Sequence, residues 1–171
     1  MIKRKRLLDS ANPSGLFAAV KSFGEPVDLG PGRMVNRRVV SAFGISGPIV
    51  DPRSCSPFLR RAVTSSAGTV FSVSIIELDN LASALRELRM REIRCIAAHP
   101  SAKNNPISKA SLVGDCCLVM GSEGPGISRE TLEQCDELVS IPMHSQVDSL
   151  NVASASAIFL YEAVRQRKEG L

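Results

Sequence analysis

The residues able to do chemistry gather in the last third of this chain. Gly121-Ser122-Glu123-Gly124-Pro125-Gly126 follows the apolar run Leu118-Val119-Met120. Ile141-Pro142-Met143 and then Ser149-Leu150-Asn151-Val152 come after it. Glycines after a buried strand let backbone approach a ligand closely and turn its amides outward. A carboxylate, a hydroxyl and a carboxamide (Glu123, Ser149, Asn151) add groups that can orient a polar substrate. Each also has a plain structural reading. Glu123 suits a solvated loop acid. Ser149 is the natural N-cap of the helix that follows it. Asn151 in the first turn can bond nearby backbone. Only their order and spacing point to a site.

Several familiar sites are excluded. The glycine spacing is not the GxGxxG dinucleotide fingerprint, nor the GxxxxGK[ST] phosphate loop. The cysteines, at 55, 95, 116, 117 and 135, form no CxxC pair, and His99 and His144 give no metal-ligand spacing. No metal is expected, and the thiols read as reduced and mostly buried.

The elements that must hold these loops alternate between strand-like and helix-like segments. Arg38 to Phe43 reads as the end of a helix closed by Gly44. Ile45 to Val50 is a short strand, and Ser56-Pro57 opens a helix to about Ala67. Thr69 to Val73 is strand-like. Leu81, Leu85 and Leu88 recur at helical spacing behind the cap Asp79-Asn80. Cys95 to Ala98 and Cys116 to Met120 are buried strands. Ser128 caps a short helix through Gln134, and Leu138 to Met143 is the last strand. Leu150, Ala153, Ala157, Leu160, Tyr161 and Val164 line one face of a final helix. Before residue 38, glycines and prolines break any long element, with strand candidates at Leu7-Leu8 and Val27 to Leu29. The alternation predicts an α/β domain with a mostly parallel sheet flanked by helices. Uniformly apolar strands fit such a sheet because helices cover both faces.

The 171 residues suit one domain, 1–171, with 1–35 as an atypical N-terminal segment. Tryptophan is absent and aromatics are 4%, so aliphatic side chains must build the core. A surface of stacked aromatics for bases is excluded. The net charge of +4 suits either a nucleic-acid partner or an ordinary soluble protein. Basic residues cluster at Lys3-Arg4-Lys5-Arg6, Arg37-Arg38, Arg60-Arg61 and Arg165-Gln166-Arg167-Lys168. They could neutralise phosphates, or the terminal two could be solvated tails. No apolar run is long enough to span a membrane and no signal peptide is evident, so a cytoplasmic location is expected.

Taken in order, strand, G-S-E-G-P-G, short helix, strand, I-P-M, S-L-N-V and amphipathic helix resemble the SpoU (TrmH-type) family of RNA 2′-O-ribose methyltransferases, in the SPOUT superfamily. Upstream, Ser41-Ala42-Phe43-Gly44-Ile45, Asp51-Pro52-Arg53, Arg60-Arg61-Ala62 and Ala67-Gly68-Thr69-Val70-Phe71 fall in the family's usual order. The resemblance covers roughly residues 36 to 165. It implies a SPOUT α/β fold with a C-terminal trefoil knot, S-adenosylmethionine as cofactor, methyl transfer to a ribose 2′-hydroxyl of tRNA or rRNA, and a homodimer. It carries the cofactor site onto Ala98-His99-Pro100, Gly121, Ser122, Glu123, Gly124, Gly126, Ile141-Pro142-Met143 and Ser149-Leu150-Asn151-Val152.

The resemblance also implies catalytic roles for Arg38, Glu123, Ser149 and Asn151. The first-motif arginine of the family falls on Arg38. A base role is demanding for a guanidinium that stays charged, so clamping the RNA phosphate is the expected work. Glu123 would orient Arg38 or the loop amides, with Ser149 and Asn151 positioning Arg38, ribose or cofactor. Gly32 and Met34 stand where the family carries asparagine and glycine, and Ser122 where many relatives carry asparagine. The competing expectation is therefore a catalytically degenerate RNA-binding or assembly protein on the same fold. No separate RNA-binding domain is expected in the short stretch before Arg38, which suits either a minimal catalytic domain or a piece of a longer chain.

Overall fold

The computed structural model describes residues 16–20, 47–50, 76–121, 126–144 and 150–169. Along these residues the chain forms β1 (Leu16–Val20), β2 (Gly47–Val50), β3 (Ile76–Glu77), α1 (Leu81–Met90), β4 (Arg94–Ala98), β5 (Cys116–Met120), α2 (Arg129–Leu132), β6 (Glu137–Val139) and α3 (Val152–Glu169). The six strands lie in the order β3-β2-β1-β5-β4-β6, and every pairing is parallel. This is the expected sheet, with helices on its faces.

The strand sequences explain the layering. Successive side chains of a strand face opposite ways, so a strand covered on both sides must be apolar throughout. β5 reads Cys-Cys-Leu-Val-Met and is buried at all five positions. Cys116, Leu118 and Met120, with Ile96 of β4, pack against Phe159, Leu160 and Ala163 of α3. Cys117 and Val119, with Cys95 and Ala97, pack instead against Leu81, Leu85 and Leu88 of α1. Cys95 and Cys117 are register partners on adjacent strands. Burial pushes the Cys135 thiol up to about 12, with Cys95 and Asp136 adding to the effect. It also raises Cys116. These are core residues held as thiols.

Local signals set the helices. Asn80 caps α1, accepting the Ser83 amide at 3.0 Å. Ser128 caps α2, accepting the Thr131 amide at 3.3 Å. α2 stops at Leu132, short of the expected Gln134, and Cys135 and Asp136 turn the chain into β6. There Asp136 accepts the Cys95 amide at 2.8 Å and the Arg89 guanidinium at 2.7 Å.

Other expectations are corrected. β1, from Leu16 to Val20, pairs with β2 and β5 near the centre of the sheet, where only broken structure was expected. β6 ends at Val139 rather than Met143, because the backbone of Ser140 is taken by a crossing loop. The final helix buries Val152, Ser156, Phe159, Leu160, Ala163 and Gln166, while Tyr161 is 60% exposed. That helix carries apolar residues on most sides, so periodicity alone did not single out the packed face. Helical structure starts at Val152, and Asn151 Oδ1 caps it by accepting the Ala153 amide at 2.8 Å, while the expected cap Ser149 lies outside the described residues.

The closing basic cluster is no solvated tail. Arg165 pairs with Glu162 at 2.8 Å and with Glu169. Arg167 donates to the Gly114 carbonyl. Gln166 is buried, accepting the Leu112 amide at 2.7 Å and donating to the Ala110 carbonyl at 3.0 Å. The expected elements at 38–43, 56–67 and 69–73, and the strand candidates at 7–8 and 27–29, lie outside the described residues. Among the described residues no helix is long and apolar enough to cross a membrane.

Candidate active site at the strand ends

β5, β4 and β6 are neighbours, and all run the same way. Their carboxyl ends therefore open on one edge of the sheet. That is where open α/β sheets place ligands. The loops after β4, β5 and β6 are the three segments singled out in the sequence.

A shared apolar cluster fixes them together. It contains Met120 and Val139, the last residues of β5 and β6, and Val152, the first residue of α3. Ala98, the last residue of β4, and Ile141 pack against it. Val152 is thus an anchor as much as a motif residue, and it delivers its neighbour Asn151 to the strand ends. Asn151 itself is exposed.

Hydrogen bonds hold the first and third loops side by side. The His99 amide donates to the Val139 carbonyl at 2.9 Å. The Ser140 hydroxyl donates to the Ala102 carbonyl at 2.8 Å. Ser140 N–H donates to Asn105 at 3.0 Å, and its carbonyl accepts from Ile107 at 2.8 Å. The Asn105 carboxamide donates to Glu137 Oε1 and to the Leu138 carbonyl, each at 2.8 Å. So 99–107 wraps the exit of β6, and Ile141-Pro142-Met143 leaves beside it. Pro142 is exposed, while Ile141 and Met143 are half-buried.

His99 is half-buried at the mouth. Its Nδ1 accepts the Ser101 amide at 3.3 Å and lies 2.6 Å from the Ser101 hydroxyl. An amide donor on Nδ1 leaves the proton of the neutral imidazole on Nε2. The ring offers a donor on its outer side.

The second loop closes on itself. A Cβ on Gly121 would lie 2.8 Å from the Gly126 carbonyl carbon and 2.9 Å from the Ile127 nitrogen. Only glycine permits that approach. Gly126 has φ of +67°, a conformation that glycine adopts at no steric cost. The two expected glycines thus pinch the loop, with Ile127 buried behind it.

The structure therefore brings together Ala98, His99, Pro100, Gly121, Gly126, Ile141, Pro142, Met143, Leu150, Asn151 and Val152. Arg38, Ser122, Glu123, Gly124 and Ser149 lie outside the described residues. Sequence reasoning missed Asn105 and Ser140, which carry the hydrogen bonds between loops, and Gln166, which ties the β4–β5 connection to α3. Buried polar residues in loops have no periodicity to betray them; only Ser140, next to Ile141-Pro142, sat close enough to a motif to be noticed. Among the described residues no cluster of histidine, cysteine or carboxylate side chains could hold a metal.

Fold and loops together define a three-layer α/β domain with a candidate ligand site at the carboxyl edge of a parallel sheet. Residues 36–161 match the SpoU rRNA Methylase family, and the chain belongs to that family. It is 38% identical over 162 residues to the 23S rRNA (guanosine-2′-O-)-methyltransferase RlmB of Ralstonia nicotianae, across 94% of this chain and 63% of that protein. It is 38% identical over 130 residues to the protein of the same name from Escherichia coli, across 76% of this chain and 53% of that one. The crystal structure of the SpoU methyltransferase AviRb from Streptomyces viridochromogenes, in complex with the cofactor AdoMet, matches all of this chain and 64% of its own, with a TM-score of 0.81 and 26% identity. The chain thus spans about 63% of the length of the first curated relatives it matches.

Proposed function

We propose that this protein is an enzyme that transfers a methyl group from S-adenosylmethionine to a ribose 2′-hydroxyl of RNA. Ribosomal RNA is the favoured substrate, since the curated relatives carry 23S rRNA in their names. The observation that carries the reading is the convergence of the three loops and the start of α3 on one sheet edge, in a chain of the SpoU family.

The residues fit the cofactor. Ala98 and Ile141, only partly buried against the core, would offer apolar surface to a flat purine, and the close approach of Gly121 to Gly126 would fix the turn after β5 beside it. The Nε2–H of His99 and the carboxamide of Asn151 supply polar contacts at the rim. When bound, S-adenosylmethionine supplies a methyl group made electrophilic by its sulfonium. The chain must then position the ribose hydroxyl and accept its proton. We assign Arg38 to clamping the RNA phosphate, Glu123 to orienting Arg38 or the loop amides, and Ser149 with Asn151 to positioning the ribose.

The same reading includes a homodimer, a trefoil knot and a cytoplasmic location. Ile158 and Tyr161 are exposed on α3, 38% and 60%, and offer an apolar stripe to a second copy. The connection between β4 and β5 is bound to Ser140 on one side and to Gln166 of α3 on the other. A C-terminal segment passed through that connection would make both contacts.

The test is calorimetric titration with S-adenosylmethionine, followed by transfer of labelled methyl to an rRNA transcript and mapping of 2′-O-methyl positions. Saturable binding and label on ribose are expected, both reduced by Asn151→Ala. Gly32 and Met34, in place of the family's asparagine and glycine, favour a second reading: an RNA-binding protein without transferase activity. RNA affinity with no transfer to any rRNA tested would establish it.

A further inference from the structure

We infer that the β4–β5 connection is a preformed contact surface for the RNA sugar-phosphate backbone, with Lys103 and Lys109 as its cations. The inference rests on the RNA reading above and adds where the RNA lies.

Charge accounting singles the connection out. Most described arginines are already engaged. Arg89, Arg91, Arg129 and Arg165 pair with carboxylates. Arg94 and Arg167 donate to the Ser111 and Gly114 carbonyls. Lys103 and Lys109 are exposed, and their ammonium groups form no ion pair or hydrogen bond among the described residues. No aspartate or glutamate occurs from Ala98 to Gly114. Asp115, at the far end beside β5, is the one carboxylate of the connection, and Glu137 of β6 is bonded to Asn105. Arg86 lies midway along α1, and Lys168 lies two residues beyond Gln166 at the end of α3 that holds Ala110.

The connection is also held still. Ser140 fixes it at Ala102, Asn105 and Ile107, and Gln166 fixes it at Ala110. The Lys109 amide donates to the Pro106 carbonyl at 2.8 Å. Both lysines thus project from anchored backbone. A phosphate contact there need not order a loop first, which removes one cost of binding. Asn104 and Ser108 are exposed between them and add neutral donors. The connection starts at Ala98 and His99, so RNA lying along it reaches the candidate methyl-transfer site. An apolar protein partner is a poorer match, because Val113, 37% exposed, is the one large exposed hydrophobic residue described on this connection.

The test compares wild type with Lys103→Glu/Lys109→Glu and with Lys103→Gln/Lys109→Gln. The probe is a 23S rRNA transcript, titrated at several salt concentrations. The same preparations are titrated with S-adenosylmethionine. RNA affinity should fall by about tenfold or more in the glutamate pair at low salt, and less in the glutamine pair. The slope of log affinity against log salt should become shallower by about 1.5 in both, as two phosphate contacts are lost. Cofactor affinity should stay within about twofold, since neither lysine is a cofactor residue. Unchanged RNA affinity and slope in both variants, with the cofactor still bound, would overturn the surface and leave the methyltransferase reading standing. A wild type that binds the cofactor but no RNA overturns the surface and the RNA half of that reading. A wild type that binds neither overturns both entirely.

Discussion

Asn151 Oδ1 accepts the amide of Ala153 at 2.8 Å, which makes a proposed site residue the N-cap of the longest helix among the described residues. Its two roles separate by substitution. Asn151→Ala removes the cap and should cost about 1 kcal/mol, or about 2–4 °C in Tm for a chain of this size. Asn151→Ser keeps a capping oxygen and should hold Tm near wild type. Both should lose methyl transfer, by up to about a hundredfold if the carboxamide positions the ribose. Thermal melts and transfer rates on the same two proteins decide it; a fully active Asn151→Ser would reduce Asn151 to a cap.

Gly121→Ala probes the pinch after β5. The new methyl would lie 2.8 Å from backbone at Gly126, which has no side chain to move aside. Overpacking of this kind costs about 1–3 kcal/mol. Calorimetry should show weakened S-adenosylmethionine binding together with a lowered Tm. Normal binding would mean that the loop after β5 does not shape the cofactor site.

Gln166→Leu keeps bulk but leaves the Leu112 amide and the Ala110 carbonyl without their partner. Each unsatisfied buried group costs about 1–3 kcal/mol. Hydrogen exchange at the Leu112 amide should accelerate more than exchange in the middle of β5. Equal protection would show that the β4–β5 connection is held to α3 by packing alone.

Glu162 gives a pH signature. Hydrogen bonds from Arg165 and Gln166 lower its carboxyl from 4.5 to about 2. A depressed folded value stabilises the protein above the unfolded value. That contribution is complete above about pH 4.5 and is lost as pH falls toward about 2. The carboxylate is close to the surface, so the effect is modest and screened by salt. Melts of wild type and Glu162→Gln from pH 6 down to 2 should converge at the acid end, the wild type having the steeper decline. Parallel curves would show that the Glu162 carboxylate adds nothing to stability.

The sequence by itself determined the parallel sheet, and its resemblance to the SpoU family marked the loops of the candidate site. β5 was legible to the residue because a strand covered on both faces must be apolar throughout, and Cys116 to Met120 is. The caps of α1 and α2 were legible because Asn80 and Ser128 act within three residues of themselves. The site loops were legible through glycine and proline spacing, which reports backbone demands locally. Tertiary structure decided what depends on distant partners. β1 became a central strand because β2 and β5 flank it, while its short apolar run lies among glycines and prolines. The packed face of α3 was chosen by the sheet and by the Leu112 amide waiting for Gln166, not by periodicity. The role of Ser140, bonded to a loop more than thirty residues earlier, is invisible in one dimension. Local chemistry writes itself into neighbouring residues; buried polar bonds between loops exist only once the chain has brought them together.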